Sequence, residues 1–304
     1  MFDWIHRRLF RVALALLGAG SVASCGAGAA RAPGAPARRH TTRPDDAGLR
    51  GPFLWEVQGA GGPSYLFGTI HAGFHADKDL PPWVWDKLDA SDTFIMELDP
   101  TSIPLVEMAR LGQLPDGKSL DEMLGAKDFG QLVELLQTSG DSLKRLQPWA
   151  ALLLVTQRLY PTPVPLDLAL RDRAVAKGKN LVYLEDWKLQ SEIIAMLDID
   201  DLRELLDPEG PGRVQLDELV AAYRAGDFEK LSAIGLDPDE IAKNPARHAR
   251  MLDDRNRDWV GKLVPHLERG RTFVAVGALH FAGERGLVEL LRERGLILTR
   301  LVKP

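Results

Sequence analysis

The sequence predicts an α/β (α+β) fold: a central mixed β-sheet with flanking helices and a large helical insertion. Three observations predict it. Short apolar runs bounded by Gly and Pro lie near both ends of the chain and around its middle. Long stretches of helical spacing separate them. Two of the runs, about 200 residues apart, end in the same Gly-x-x-His pattern, as strands of one sheet do when they feed one site.

In chain order, Phe53-Leu54-Trp55-Glu56-Val57 and Ser64-Tyr65-Leu66-Phe67-Gly68-Thr69-Ile70 read as strands. The Gly-rich turn Gly59-Ala60-Gly61-Gly62-Pro63 joins them as a hairpin. Pro81-Pro82 opens a short helix through Trp83, Trp85 and Leu88. Thr93-Phe94-Ile95-Met96 is a buried strand that ends at Glu97. Ser119-Leu120-Asp121-Glu122 has the capping-box pattern of a helix start. Pro148-Trp149 opens an apolar helix to about Tyr160, and Leu166, Leu170 and Ala174 mark another. Leu181-Val182-Tyr183-Leu184 is a strand ending at Glu185, the same placement as Glu97. This likeness predicts two pseudo-repeat halves. Helices then fill Gln190 to Leu206 and Val214 to Ala242, and Pro245 precedes a long helix to about Glu268. Arg271 to Val276 is β-rich and runs into Gly277-Ala278-Leu279-His280. A helix from Gly286 to Arg294 and a strand from Leu296 to Val302 follow.

The first 24 residues read as an address rather than as part of the fold. Arg7, Arg8 and Arg11 precede the apolar stretch Val12 to Ala23, which is shorter than the roughly 20 residues a membrane span needs and has the flanks of a signal peptide. Val22-Ala23-Ser24-Cys25 looks like a lipobox, making Cys25 the lipidated first residue of an exported lipoprotein. Lipidation also accounts for a single cysteine in an exported chain, where paired cysteines are the norm. Gly26 after it favours the outer membrane, with the protein facing the periplasm. Residues 25–51, rich in Gly, Ala, Pro and Arg, have too little apolar surface to fold and read as a flexible tether. Residues 52–304 form one domain.

The whole chain carries −5; residues 1–24 hold a net +2 and residues 26–51 a net +3, leaving −10 on the domain. Nucleic acid is excluded as a partner, because its binding depends on cations that neutralise phosphates.

The chemistry-bearing residues sit at strand ends. Gly68-Thr69-Ile70-His71 and Gly277-Ala278-Leu279-His280 each place an imidazole there, beside a Gly that permits close approach. If these strands are neighbours, both rings face one mouth at the carboxyl edge of the sheet. Two imidazoles with the carboxylate of Glu97 make the pattern of a divalent-metal site with open positions. His75, four residues after His71, lies on a loop rather than a helix and is not expected to be a ligand, and His248 and His266, in charged helical surroundings, read as solvated. The Trp83/Trp85 pair reads as core or lid.

From about Phe53 to its end the chain resembles the TraB/GumN family. The resemblance rests on Phe53-Leu54-Trp55, the Gly68-to-His71 motif, the strand to Glu97, Pro148-Trp149, Leu166-Asp167, Leu184-Glu185 and Gln190. Asp254-Arg255-Asn256-Arg257-Asp258-Trp259 and the Gly277-to-His280 motif complete it. Pro165 and Asp186 depart from the usual Gly and Thr, but neither falls on an expected ligand. The family is related to the Tiki metalloproteases and, more distantly, to ChaN-type haem-binding and erythromycin-esterase-type proteins. That resemblance implies an EreA/ChaN/Tiki-like fold. It implies a divalent ion (Mn, Co or Zn) on His71, His280 and Glu97, and a role for Arg255 and Asn256. The expected activity is metal-dependent hydrolysis of a peptide or protein substrate. Glu97 or Glu185 would accept the proton of water, and Arg255 with Asn256 would stabilise the oxyanion. The alternatives are a non-catalytic peptide- or haem-binding lipoprotein, and an ester or lactone hydrolase.

Overall fold

A computed structural model describes residues 48–303; the signal segment, Cys25 and most of the tether lie outside the described residues. One six-stranded mixed sheet organises the domain. Its strands are β1 (Leu54–Val57), β2 (Ser64–Thr69), β3 (Thr93–Leu98), β4 (Asn180–Glu185), β5 (Thr272–Gly277) and β6 (Leu298–Leu301). Their order is β4-β3-β5-β2-β1-β6. The first four in that order run parallel, while β1 is antiparallel to both neighbours. Every residue of β2 and β5 is buried, as expected of parallel strands covered on both faces.

The helices that bear on the site are α1 (Pro82–Ala90), α2 (Pro148–Leu159), α3 (Leu166–Ala176), α4 (Trp187–Ile194), α5 (Pro211–Arg224), α6 (Asp254–Arg269) and α7 (Leu287–Glu293). Helix α2 is buried from Pro148 through Thr156, which explains its apolar reading: it runs inside the helical layer. Ser119 does precede a helix, Leu120–Leu124, but its hydroxyl makes no cap, so the expected capping box is not formed there. The box forms instead at Asp198, whose carboxylate accepts from Asp201 N while Asp201 returns the bond. Among the described residues no helix is long and apolar enough to cross a membrane.

The expected tether ends on the domain rather than before it. Arg50 pairs with Asp227 at 3.0 Å, and Gly51 N donates to Gly226 O. At the far edge of the hairpin, the Arg300 guanidinium is 5.1 Å from the Phe53 ring and 5.0 Å from that of Trp55. Trp55 in turn stacks on Phe281, ring centroids 4.9 Å apart. That stack fixes the 3-10 turn Ala278–Phe281, which carries His280.

The two Gly-x-x-His turns touch. Strands β2 and β5 pair in register with Gly68 opposite Val276 and Thr69 opposite Gly277. A Cβ on Gly68 would come within 3.1 Å of Ala278 Cα and of Phe53 Cβ. We predict that Gly68→Ala costs about 1–3 kcal/mol, the range for overpacking a filled core. Urea denaturation measures it; an unchanged midpoint would show that the second turn yields freely.

Candidate functional site

The carboxyl ends of the four parallel strands bring His71, Glu97, Glu185 and His280 to one edge, where ligands of open α/β sheets bind. β3 and β5 part after the Met96–Ala275 pair. Glu97 then takes over from the backbone: its Oε1 accepts from Gly277 N at 2.8 Å. Glu185 ends β4 opposite Leu98. All four site residues stand close to their expected positions, and Arg255 and Asn256 join them from the first turn of α6.

Arg255 is the hub of the site. Its Nε donates to Glu185 Oε1 at 2.7 Å, and its Nη2 to Glu185 Oε2 at 2.9 Å and Glu97 Oε2 at 2.6 Å. Nη1 reaches Met251 O and His280 Nε2, both at 3.1 Å. A guanidinium has five N–H groups, and all five are committed. Asn256 is likewise filled: its Nδ2 donates to His280 O at 3.2 Å and Arg285 O at 2.8 Å. Neither retains a free donor, and each orients other groups instead.

The two glutamates differ in what they have left. A carboxylate offers about four lone-pair sites. Glu185 fills them with Arg255 twice, Trp259 Nε1 at 2.9 Å and Gln190 Nε2 at 2.9 Å. Burial pushes its carboxyl above the usual range, against the pull of Arg255. Glu97 accepts from Gly277 N, Arg255 and Gln190, the last at 3.2 Å, which leaves one site on Oε1. Glu97 thus keeps one acceptor position, and Glu185 is filled by Arg255, Trp259 and Gln190.

The imidazoles are both buried and pinned at Nδ1. Because Asn256 Nδ2 faces two carbonyls, its Oδ1 faces His280 Nδ1 at 2.7 Å, and that nitrogen carries the proton. His280 Nε2 thus presents a lone pair, which Arg255 fills. Burial, then Arg255 and His71, holds His280 well below the ordinary imidazole value. Asp167 Oδ2 stands 2.7 Å from His71 Nδ1, as an ion-pair contact rather than an aligned hydrogen bond. His71 Nε2 is buried with no hydrogen-bond partner. Burial lowers the His71 pKa, but Asp167, with help from Glu97, outweighs it and raises it overall.

Opposite shifts give the metal-free protein a pH signature. A neutral buried His280 must take up a proton on unfolding below about 6.5, so its contribution is full above that value and is lost as pH falls. His71, raised, contributes fully below about 6.5 and loses it as pH climbs through its folded value. We predict that His280→Gln flattens the acid-side loss of stability relative to wild type, by up to about 1.4 kcal/mol per pH unit. Parallel acid limbs in urea denaturation would contradict this.

Three contributors were not assigned a role from the sequence: Asp167, Gln190 and Trp259. Trp259 is fully buried, with its ring centroid 4.7 Å from the Arg255 guanidinium and 4.3 Å from that of His280. All three lie within the segments that carry the resemblance, yet each also fits an ordinary helix face. His75 gives its backbone N–H to Asp79, His248 lies 3.8 Å from Asp253, and neither joins the site. Trp83 and Trp85 pack against the core, and Arg173 sits over Trp85 at 5.4 Å.

Among the described residues no group of three or more His, Cys, Asp or Glu side chains is placed to hold a metal ion. The geometric reason is Arg255, whose cation stands among Glu97, Glu185 and His280. In kind, the donors fit a divalent ion. Glu97 and Glu185 share the single Arg255 guanidinium, and Asp167 faces His71. The unpartnered Nε2 of His71 is a ready ligand.

The model of the TraB/PrgY/gumN family matches residues 53–300. The chain is also similar to the "Metalloprotease TIKI homolog" of Amphimedon queenslandica, 25% identical over 82% of this chain and 61% of that protein. It therefore spans less than two thirds of that relative. It is 26% identical to YbaP of Shigella flexneri, over 75% of this chain and 88% of the relative. The figures for YbaP of Escherichia coli (strain K12) are 26%, 75% and 87%.

Proposed function

Since the chain belongs to the TraB/PrgY/gumN family, we propose that it is a peptide-bond hydrolase of the cell envelope that uses a divalent ion such as Mn²⁺, Co²⁺ or Zn²⁺. The observation that carries this reading is the buried, unpartnered Nε2 of His71 at the strand edge where Glu97 and His280 also end. The name of the sponge relative points the same way. His71 through its unpartnered Nε2, Glu97, and His280 through Nε2 once Arg255 releases it, would hold the ion. When bound, such an ion polarises a carbonyl and makes water a stronger acid. Within the protein, Asn256 keeps His280 in the Nδ1–H form, and Glu97 Oε1 has room to accept a proton. Trp259, fully buried, packs its ring against Arg255 and His280. Lipidation at Cys25 would place this activity at the outer membrane, facing the periplasm.

The test is the metal content of the full chain beside His71→Ala and His280→Ala, with a peptide-library digest run with and without chelator. Stoichiometric metal in wild type, lost in both variants, together with chelator-sensitive cleavage is the expected result. A second reading, a non-catalytic peptide- or haem-binding protein, is favoured by one observation: Arg255 already occupies Glu97, Glu185 and His280 Nε2. Absence of metal after reloading with all three ions would select it.

A further inference from the structure

We propose that Asp167 is a positioning residue that holds the proton of His71 on Nδ1, with Thr69 fixing the carboxylate, so that Nε2 is always turned into the site. The inference rests on the reading of His71 as a working imidazole.

Asp167 is the second residue of α3 and lies 96 positions from His71 along the chain. It is only 6% exposed, and a carboxylate so buried persists only when paired. Its partners lie on the same strand end. Thr69 Oγ1 donates to Asp167 Oδ1 at 2.7 Å, and His71 Nδ1 stands 2.7 Å from Oδ2. Residues two apart in an extended chain share a face, so a single carboxylate spans both. Asp167 also sits in the first turn of a helix, where the backbone dipoles favour an anion.

The tautomer follows from repulsion. An imidazole lone pair facing a carboxylate oxygen at 2.7 Å would set two electron pairs against each other, so Nδ1 carries hydrogen. The remaining nitrogen, Nε2, has no hydrogen-bond partner among the described residues. His280 is held in the same way by Asn256 Oδ1 at 2.7 Å. The two turns thus share one device, with an anionic partner in the first and a neutral amide in the second. A carboxylate that orients a reactive imidazole acts through the ring and touches no reacting atom.

The experiment uses the full chain, ¹⁵N-labelled at histidine and stripped of metal by chelator. Long-range ¹H–¹⁵N spectra are recorded at a pH above the titration of His71. The wild type is expected to show His71 with hydrogen on Nδ1. In Asp167→Asn the amide carbonyl takes the Thr69 hydroxyl and its NH₂ faces Nδ1, so hydrogen moves to Nε2. His280 should stay unchanged as the internal reference. Mn²⁺ affinity, read by electron paramagnetic resonance, should fall by about 10–100-fold in the variant. Thr69→Val keeps the anion and should keep the Nδ1–H form.

Wild-type His71 with hydrogen on Nε2 overturns the proposal, and this outcome needs no variant to fold. An unchanged tautomer in folded Asp167→Asn overturns it equally. A wild type that binds no Mn²⁺ yet shows the expected tautomer switch would remove the metal reading and leave the positioning role standing.

Discussion

Replacing Arg255 by Met is expected to destabilise the protein by about 3–5 kcal/mol, the range for stranding one side of a buried ion pair. The loss is large because Arg255 is shared. Glu97 and Glu185 both depend on it, and neither can reach bulk water as a substitute. Removing it leaves two carboxylates within one buried site, with Gln190, Trp259 and the Gly277 N–H still donating to them. Acid should therefore rescue the variant in part. Burial already pushes the Glu185 carboxyl up, and losing Arg255 removes the pull that opposes it; a group raised in this way stabilises the fold at low pH and loses that contribution as pH rises. Arg255→Met should thus lie closest to wild type near the carboxylate range and furthest from it at neutral pH. A variant equally destabilised across that window would refute the account. Arg255→Lys should recover only part of the loss, since an ammonium cannot form the two-pronged contact with Glu185.

The second large effect is expected on turnover. Glu97→Gln should lower peptide hydrolysis by about 10²–10⁴-fold, the usual contribution of a positioned base. Glu185→Gln should act chiefly on stability. The distinction comes from their hydrogen bonds: Glu185 is saturated, whereas Glu97 keeps one acceptor position on Oε1. Initial rates on a cleaved library peptide, with unfolding midpoints for both variants, decide it. If Glu185→Gln were the less active of two equally folded proteins, the roles would be reversed.

The framework of this fold is legible in sequence because its signals are local. Phe53–Val57, Thr93–Met96 and Leu181–Leu184 are apolar runs between turn residues, and each became a strand. The paired Gly-x-x-His motifs foretold a shared edge because a glycine and an imidazole after an apolar run have few other uses. What was not legible depends on distant partners. Nothing near Arg255 announces that it will serve carboxylates 70 and 158 residues away. The charged surroundings of Arg255 read equally well as a solvated helix face. Asp167 is hidden for a similar reason: an acidic residue in the first turn of a helix needs no partner to be reasonable there. Ser119 shows the reverse error, a strong local pattern that is not realised as a cap.

The helix that carries Arg255 does not reach it unbroken. A π-helical turn, Ala249–Asp253, intervenes between Pro245–His248 and α6. On its near side Arg247 grips the buried Asp201 at 2.8 Å, and on its far side Arg255 grips the two glutamates. Each residue of an α-helix turns the next by about 100°, so one residue more or less resets the phase between these anchors. The wide turn acts as a vernier, letting one rod dock two arginines into two separately built acidic sockets. Deleting a single residue within it would restore ordinary winding with the phase between the two anchors nearly kept, because the wide turn takes up one extra residue. A gene scanned by one-codon deletions should accordingly tolerate a loss here better than one between Asp253 and Arg255, in the first turn of α6, where each missing residue swings the guanidinium by about 100°.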